Sequence, residues 1–186
     1  QGFGNAINTY YAVQMMINAG CAGLHVEDQT HPKRCGYVEG KEVVSSEEMV
    51  GKLRAARDAK MGQDASFVII ARTDALTAAG GGFEETAERI KAYREEGGAD
   101  VIYIEGAHLL EQIRQFRKVV DGPLFCSTYT IEPPPGVEEM AELGQCIIQV
   151  VYMICEPAVV AAWDLLEPVE QEGLSAWHHY LARTKG

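Results

Sequence analysis

The stretch Ser66-Phe67-Val68-Ile69-Ile70-Ala71, followed by Arg72-Thr73-Asp74, decides the fold. Its apolar run is too continuous for a strand with one face in water, and it is typical of a parallel sheet that is covered on both faces. The charged residues that follow at once mark the point where this strand ends. The stretch therefore predicts a buried parallel strand with a polar carboxyl end.

Outward from this stretch, short apolar strands alternate with amphipathic helices. The other predicted strands are 22–27, 100–105, 124–127 and 146–152, and the predicted helices are 5–19, 45–59, 83–96, 109–120, 136–143 and 156–172. This alternation predicts right-handed crossovers and an α/β fold with a parallel sheet.

Two architectures fit the alternation: an open doubly wound sheet and a TIM-type (β/α)₈ barrel. No G-x-G-x-x-G signature follows any predicted strand, which disfavours a dinucleotide-binding sheet. Five strands are too few to close a barrel. We therefore predict one partial barrel domain over residues 1–186, with roughly five of eight βα units present and about three missing at the N-terminus.

Composition excludes several classes of partner. The formal net charge of −11 disfavours nucleic acid, which requires clustered Lys and Arg. The apolar stretch 146–155 is about half of the roughly 20 residues that span a bilayer, so no membrane segment is expected. Five cysteines without paired spacing, and the lack of a secretory signal, predict a reducing cytoplasmic location.

Four predicted strands end on Glu27, Arg72, Glu105 and Ser127. Parallel barrels collect their chemistry at these carboxyl ends. Glu27 could hold a hard cation such as Mg²⁺, and Arg72 could bind a substrate carboxylate through two hydrogen bonds. The alternative for each charged side chain is an internal ion pair with another member of this set or with Asp74.

The loop after the first strand contains Lys33-Arg34-Cys35-Gly36. Two adjacent cations stabilise a thiolate, and glycine allows close approach of the backbone to a ligand. The loop therefore predicts a reactive cysteine. An incidental surface cysteine beside ordinary basic residues is the alternative.

Three segments together resemble the isocitrate lyase and phosphoenolpyruvate mutase superfamily. They are 25–29 (HVEDQ), 32–37 (PKRCGY) and 70–75 (IARTDA), and the branch that they resemble most contains methylisocitrate lyase and 2,3-dimethylmalate lyase. The resemblance runs from residue 1 to about residue 173. It implies a (β/α)₈ barrel that uses Mg²⁺ (or Mn²⁺), and a homo-oligomer, usually a tetramer.

The resemblance also implies roles for individual residues. Cys35 matches the catalytic acid/base of a mobile loop, with Lys33 beside it, and Glu27 matches a metal-holding carboxylate. The predicted substrate-binding residues are Gly36, Tyr37, Arg72, Glu105 and Ser127. The family's aspartate-rich metal motif would lie upstream of Gln1.

Two positions depart from the family pattern. The family usually has His where this chain has Tyr37, and usually has Asn where this chain has Ser127. Both differences bear on the identity of the substrate.

The resemblance implies a Mg²⁺-dependent lyase that cleaves a C–C bond in a malate-like 2-hydroxy diacid, of the methylisocitrate or dimethylmalate type. The products would be a 2-oxoacid and a carboxylate, so the partner is a small di- or tricarboxylate. Two alternatives stay open: a hydrolase of an oxaloacetate-type C–C bond, and a catalytically inactive structural fragment.

Overall fold

The computed structural model describes residues 1–128, 130–149 and 151–184, and it divides the chain into two compact units, 1–149 and 150–186. The prediction of a single domain over the whole chain stays a prediction. Within the described residues, no helix combines the length and the apolar content that crossing a bilayer requires.

The first unit is a parallel sheet with strand order β1-β2-β3-β4, and helices connect its strands. The strands are β1 (Gly23–Glu27), β2 (Val68–Thr73), β3 (Val101–Ile104) and β4 (Leu124–Cys126). The helices are α1 (Ala6–Asn18), α2 (Ser46–Gln63), α3 (Phe83–Glu95), α4 (Leu110–Val119) and α5 (Val137–Glu142). This order confirms the α/β class and the parallel sheet.

Both faces of the sheet carry apolar side chains, as the continuous apolar strands predict. The outer face packs against the helices and includes Ile69, Ala71 and Ile102. The inner face is a smaller cluster in which the rings of Tyr103 and Phe125 stack at 4.0 Å between centroids. Since side chains alternate along a strand, the polar residues at the strand ends continue these two faces.

The predicted fifth strand is wrong. Residues 146–149 adopt no strand, residues 151–154 form turns, and Val150 lies outside the described residues. Only Gln145 bridges to Leu124 of β4. The side-chain oxygen of Gln145 then accepts a hydrogen bond from the backbone N–H of Cys126 at 2.7 Å. A fifth strand would need this N–H to pair with its own backbone, so the side chain replaces the strand as the acceptor. The sheet formed by the described residues therefore has four strands.

The helix after the Cys35 loop begins where the sequence predicts. Ser45 is its N-cap and accepts a hydrogen bond from the Glu48 N–H at 3.1 Å. The Glu48 carboxylate lies 2.9 Å from Lys52, one turn further along the helix. The helix reaches Gln63, four residues beyond the predicted end.

The second unit consists of two helices, α6 (Cys155–Glu172) and α7 (Ser175–Thr184). The sequence predicts the first of them but not the second. The helix α6 has no buried residue and exposes several large apolar side chains, among them Val159, Trp163 and Leu166.

Candidate active site

The register of the sheet brings the predicted site residues to one edge. Glu27 pairs with Arg72 across β1 and β2, while Glu105 and Ser127 directly follow β3 and β4. Arg72 lies inside its strand rather than after it, because β2 continues to Thr73. The strand ends therefore form a continuous polar rim above the inner apolar cluster.

Arg72 is the centre of this rim. Its guanidinium lies 2.8 Å from Asp74, 3.2 Å from Glu27 and 3.2 Å from Glu105, and 4.9 Å from the centroid of the Tyr103 ring. Burial opposes the charged guanidinium, but the hydrogen bond to Asp74 and the three carboxylates outweigh burial and raise the pKa of Arg72. Arg72 is therefore a fixed cation. It forms the internal ion pairs that the sequence offered as an alternative, and these ion pairs do not exclude a role in binding a ligand.

Glu27 is almost fully buried, and its carboxylate is occupied. The ammonium of Lys33 lies 2.8 Å from each of its two oxygens, and the Gln29 amide donates to Oε1 at 3.1 Å. Lys33 thus pairs with Glu27, whereas the sequence suggested a role beside the thiol. The adjacent Asp28 points to the other face, as alternation along a strand requires.

Asp28 is fully buried and holds the strand ends together. Its carboxylate accepts hydrogen bonds from Thr73 Oγ1 at 2.7 Å, from the Asp74 N–H at 3.0 Å and from Tyr93 at 2.8 Å. Arg89 lies 3.5 Å away. Burial raises the pKa of Asp28, and these hydrogen bonds oppose that shift. Because Asp28 fixes the backbone at Asp74, it also fixes the carboxylate that holds Arg72.

Glu105 is buried against the same guanidinium. The hydroxyl of Tyr103 donates to its Oε2 at 2.5 Å, and burial followed by this hydrogen bond raises the pKa of Tyr103. The other carboxylate oxygen of Glu105, Oε1, is buried and has no hydrogen-bond partner among the described residues. A buried acceptor without a donor costs free energy, so Oε1 is an acceptor open to a ligand.

The Cys35 loop lies over this rim. A Cβ on Gly36 would come within 2.9 Å of both Arg72 and Glu105, so only glycine permits this approach. The Tyr37 hydroxyl lies 3.0 Å from Ser127 Oγ. Cys35 itself is exposed. All eight predicted site residues therefore belong to one cluster formed by the loop and the strand ends.

Sequence reasoning missed two buried residues of this cluster. Gln29 donates to Glu27 and Asp74, and Lys41 donates to the Gly36 carbonyl and to Thr77 Oγ1. Gln29 could have been found, because it follows Glu27 by two residues and so lies on the same face. The partners of Lys41 carry no signal in the spacing of the sequence.

The other four cysteines and His25 lie outside this cluster. Cys21, Cys146 and Cys155 are exposed, and Cys126 alone of the five is buried. Burial raises the pKa of Cys126 to about 12. His25 is exposed on the edge strand β1.

The described residues do not fit a magnesium ion by themselves. Among them, no group of three or more His, Cys, Asp or Glu side chains could hold a metal ion. Glu27, the one predicted ligand, has both oxygens against Lys33. A hard cation requires several oxygen ligands, so this donor set is incomplete.

We therefore expect Mg²⁺ to bind this chain no more tightly than about millimolar, since a single occupied carboxylate supplies too few oxygens. Isothermal titration calorimetry measures this directly, with Glu27→Gln as the control variant. Micromolar affinity that the control loses would contradict the expectation.

The model of the family described as phosphoenolpyruvate phosphomutase matches residues 1–168. Over 121 residues the chain is 45% identical to the 2,3-dimethylmalate lyase of Eubacterium barkeri, covering 65% of this chain and 40% of that relative. Over 127 residues it is 46% identical to the 2-methylisocitrate lyase of Escherichia coli (strain K12), covering 68% and 41%. The match thus spans less than half the length of either relative.

Solved structures are also similar to this chain. One is an oxaloacetate acetylhydrolase with the inhibitor 3,3-difluorooxalacetate, with a TM-score of 0.80, 32% identity, and coverage of 98% of this chain and 65% of that chain. Another is a phosphonopyruvate hydrolase with oxalate and Mg²⁺, with a TM-score of 0.77, 33% identity and coverage of 93% and 59%. Use of a divalent metal therefore occurs in the family, and the partial sheet corresponds to part of a TIM-type barrel. The chain belongs to the phosphoenolpyruvate mutase and isocitrate lyase superfamily.

Proposed function

We propose that this chain forms the cysteine-bearing part of the active site of a C–C bond lyase. Its substrate is a malate-like 2-hydroxy diacid of the methylisocitrate or dimethylmalate type. One observation carries the proposal: the loop holds Cys35 between Lys33, which pairs with Glu27, and Gly36, which lies against Arg72 and Glu105. The names of two relatives, 2,3-dimethylmalate lyase and 2-methylisocitrate lyase, support this choice of substrate class.

In this reaction a base takes the proton of the C2 hydroxyl, and the C2–C3 bond breaks. The electron pair of that bond stays on C3 as an enolate-like carbanion, while C2 becomes the carbonyl carbon of a 2-oxoacid. Cys35 donates its thiol proton to C3 as a general acid, which releases the carboxylate. In the reverse direction the thiolate is the base.

Arg72 and Glu105 bind and orient the substrate in this proposal. The guanidinium attracts a substrate carboxylate, and Asp74 holds it in a fixed orientation at 2.8 Å. The unpaired Oε1 of Glu105 accepts a hydrogen bond from the substrate. Lys33 balances the charge of Glu27 near the thiol.

The charge of the rim supports a need for an added cation. Glu27, Asp74 and Glu105 carry three negative charges against the three positive charges of Arg72, Lys33 and Lys41, a formal charge of zero. A cluster without net positive charge gives little overall attraction for an anionic diacid. We propose that Mg²⁺ or Mn²⁺ supplies this charge in a protein that contains further oxygen ligands.

Hydrolysis of an oxaloacetate-type C–C bond is the second candidate. The likeness to an oxaloacetate acetylhydrolase favours it, because that match covers 98% of this chain. The incomplete metal site favours a third, a chain that is inactive by itself and serves as a structural fragment.

We propose further that the protein forms a homo-oligomer, usually a tetramer in the family. The exposed apolar side chains of α6 support an interface with a second copy, since Val159 and Trp163 are about two thirds exposed, at 65% and 66%. A cytoplasmic location stays a prediction from the cysteine pattern.

The test is a substrate panel. A protein extended at its N-terminus to complete the barrel is assayed with 2-methylisocitrate, 2,3-dimethylmalate, oxaloacetate and phosphonopyruvate. The 2-oxoacid product is measured for the two 2-hydroxy diacids and for phosphonopyruvate, and acetate is measured for oxaloacetate. The proposal expects turnover on one of the two 2-hydroxy diacids. Turnover on oxaloacetate alone would support the second candidate, and turnover on phosphonopyruvate alone would contradict both.

A further inference from the structure

We propose that Tyr37 and Ser127 form a latch that holds the Cys35 loop against the strand ends. The two hydroxyls bind each other, so these residues position the thiol and do not serve first as ligands of the substrate. The use of the latch in catalysis rests on the proposed function, whereas the latch itself rests on the contacts below.

The latch joins two parts of the fold that are distant in sequence. The Tyr37 hydroxyl lies 3.0 Å from Ser127 Oγ, and one of the two hydroxyls donates to the other. Ser127 is 4% exposed at the end of β4, while Tyr37 is 45% exposed on the loop. A partly exposed loop side chain thus reaches a buried hydroxyl on the sheet.

Neighbouring side chains orient the ring of Tyr37 toward Ser127. It lies 6.2 Å from the His108 ring, and His108 Nδ1 is 2.7 Å from Thr130 Oγ1. The loops after β3 and β4 therefore form the side against which the phenol lies.

The turn that carries Tyr37 also carries the thiol. The Val38 N–H donates to the Cys35 carbonyl at 3.0 Å, which closes a tight turn. Lys33 anchors this segment to Glu27 before the turn, and Lys41 binds the Gly36 carbonyl within it. The contact between Tyr37 and Ser127 is the anchor that ties a side chain of the turn to the sheet, so it sets the direction in which the turn faces.

The chemistry of this anchor suits a latch that opens. A hydrogen bond between two hydroxyl groups shifts an equilibrium by only about 2- to 12-fold. The ion pair between Lys33 and Glu27 can then retain the loop while the turn swings and admits a substrate.

Hydrogen–deuterium exchange of the chain tests the latch, with the peptide 33–40 as the reporter. Its Arg34 and Val38 amides donate to Gln29 Oε1 and to the Cys35 carbonyl. Tyr37→Phe and Ser127→Ala should each raise the exchange rate of this peptide about 2- to 12-fold. The double variant should exchange no faster than the faster single variant, because both changes remove the same contact.

Two controls separate positioning from general destabilisation. Tyr11→Phe makes the same chemical change on the exposed side of α1 and should leave peptide 33–40 unchanged. Ser127→Thr keeps the hydroxyl and should preserve protection that Ser127→Ala loses. If Ser127→Ala does not fold, Tyr37→Phe carries the test alone, because it removes one oxygen from a side chain that is nearly half exposed.

Unchanged exchange in Tyr37→Phe, or rate increases that multiply in the double variant, would overturn the latch. So would an equal increase in Tyr11→Phe. The exchange experiment does not depend on turnover. If exchange showed the expected coupling but the substrate panel showed no activity, the proposed function would be contradicted and the latch would stand.

Discussion

Cys35→Ser should lower kcat for C–C cleavage about 10²- to 10⁴-fold in the N-terminally extended protein, with KM nearly unchanged. Serine is close to cysteine in size but is a far weaker acid, so the loop keeps its shape and loses its proton donor. Steady-state kinetics on the best substrate of the panel measure this effect.

Cys21→Ser is the matched control for that variant. Cys21 is also exposed, but it lies in the turn between α1 and β1, outside the loop and the rim. Its replacement should leave kcat and KM unchanged. If Cys35→Ser kept most of the wild-type kcat, the thiol would not be the proton donor, and the other reactions of the family would have to be considered.

Asp28→Ala should lower the free energy of unfolding of the chain by about 3–5 kcal/mol. The change leaves the buried hydroxyls of Thr73 and Tyr93 without their shared acceptor, and it leaves Arg89 without one of its carboxylates. Urea unfolding followed by far-UV circular dichroism measures the loss from the midpoint at constant slope.

Asp58→Ala is the control for this loss, because the Asp58 side chain is 67% exposed and its ion pair with Arg57 spans 3.7 Å. We expect a change within about 0.5 kcal/mol for this exposed site. A similar small loss in Asp28→Ala would mean that the strand ends do not depend on the buried carboxylate.

The sequence predicts the sheet well where the apolar pattern alone determines it. Residues Val68 to Ala71 of the predicted run lie in the strand β2, and packing on both faces of the sheet explains why the run is apolar. The strand ends two residues later than predicted because Arg72 pairs with Glu27 and Tyr103 in the sheet register. A charged residue ends an apolar run, but it does not end a strand when carboxylates on the same face neutralise it.

The sequence fails where one long-range contact decides the outcome. The apolar stretch after Gln145 predicts a strand, but the Gln145 side chain binds the Cys126 N–H and the ladder stops. Lys33 stands beside Cys35 in the chain, yet its ammonium lies against Glu27. Which partner a side chain binds depends on the folded geometry, and such contacts produce no periodic pattern in the sequence.

The same distinction applies to the site. Reasoning from strand ends finds Glu27, Arg72, Glu105 and Ser127, because the carboxyl ends of parallel strands share one edge. It misses Lys41, whose buried ammonium holds the Gly36 carbonyl from a position five residues further along the loop.

Product analysis in D₂O tests the central claim most directly. The N-terminally extended protein is incubated in D₂O with the best 2-hydroxy diacid of the panel, and mass spectrometry measures the deuterium content of the released carboxylate. Proton donation to a C3 carbanion predicts one solvent deuteron at the former C3 of the product. Cys35→Ser should lower the rate at which this product forms at least 100-fold, which is the lower end of the expected loss of about 10²- to 10⁴-fold. An intact C–C bond, or deuterium incorporation at the wild-type rate in Cys35→Ser, would contradict the account.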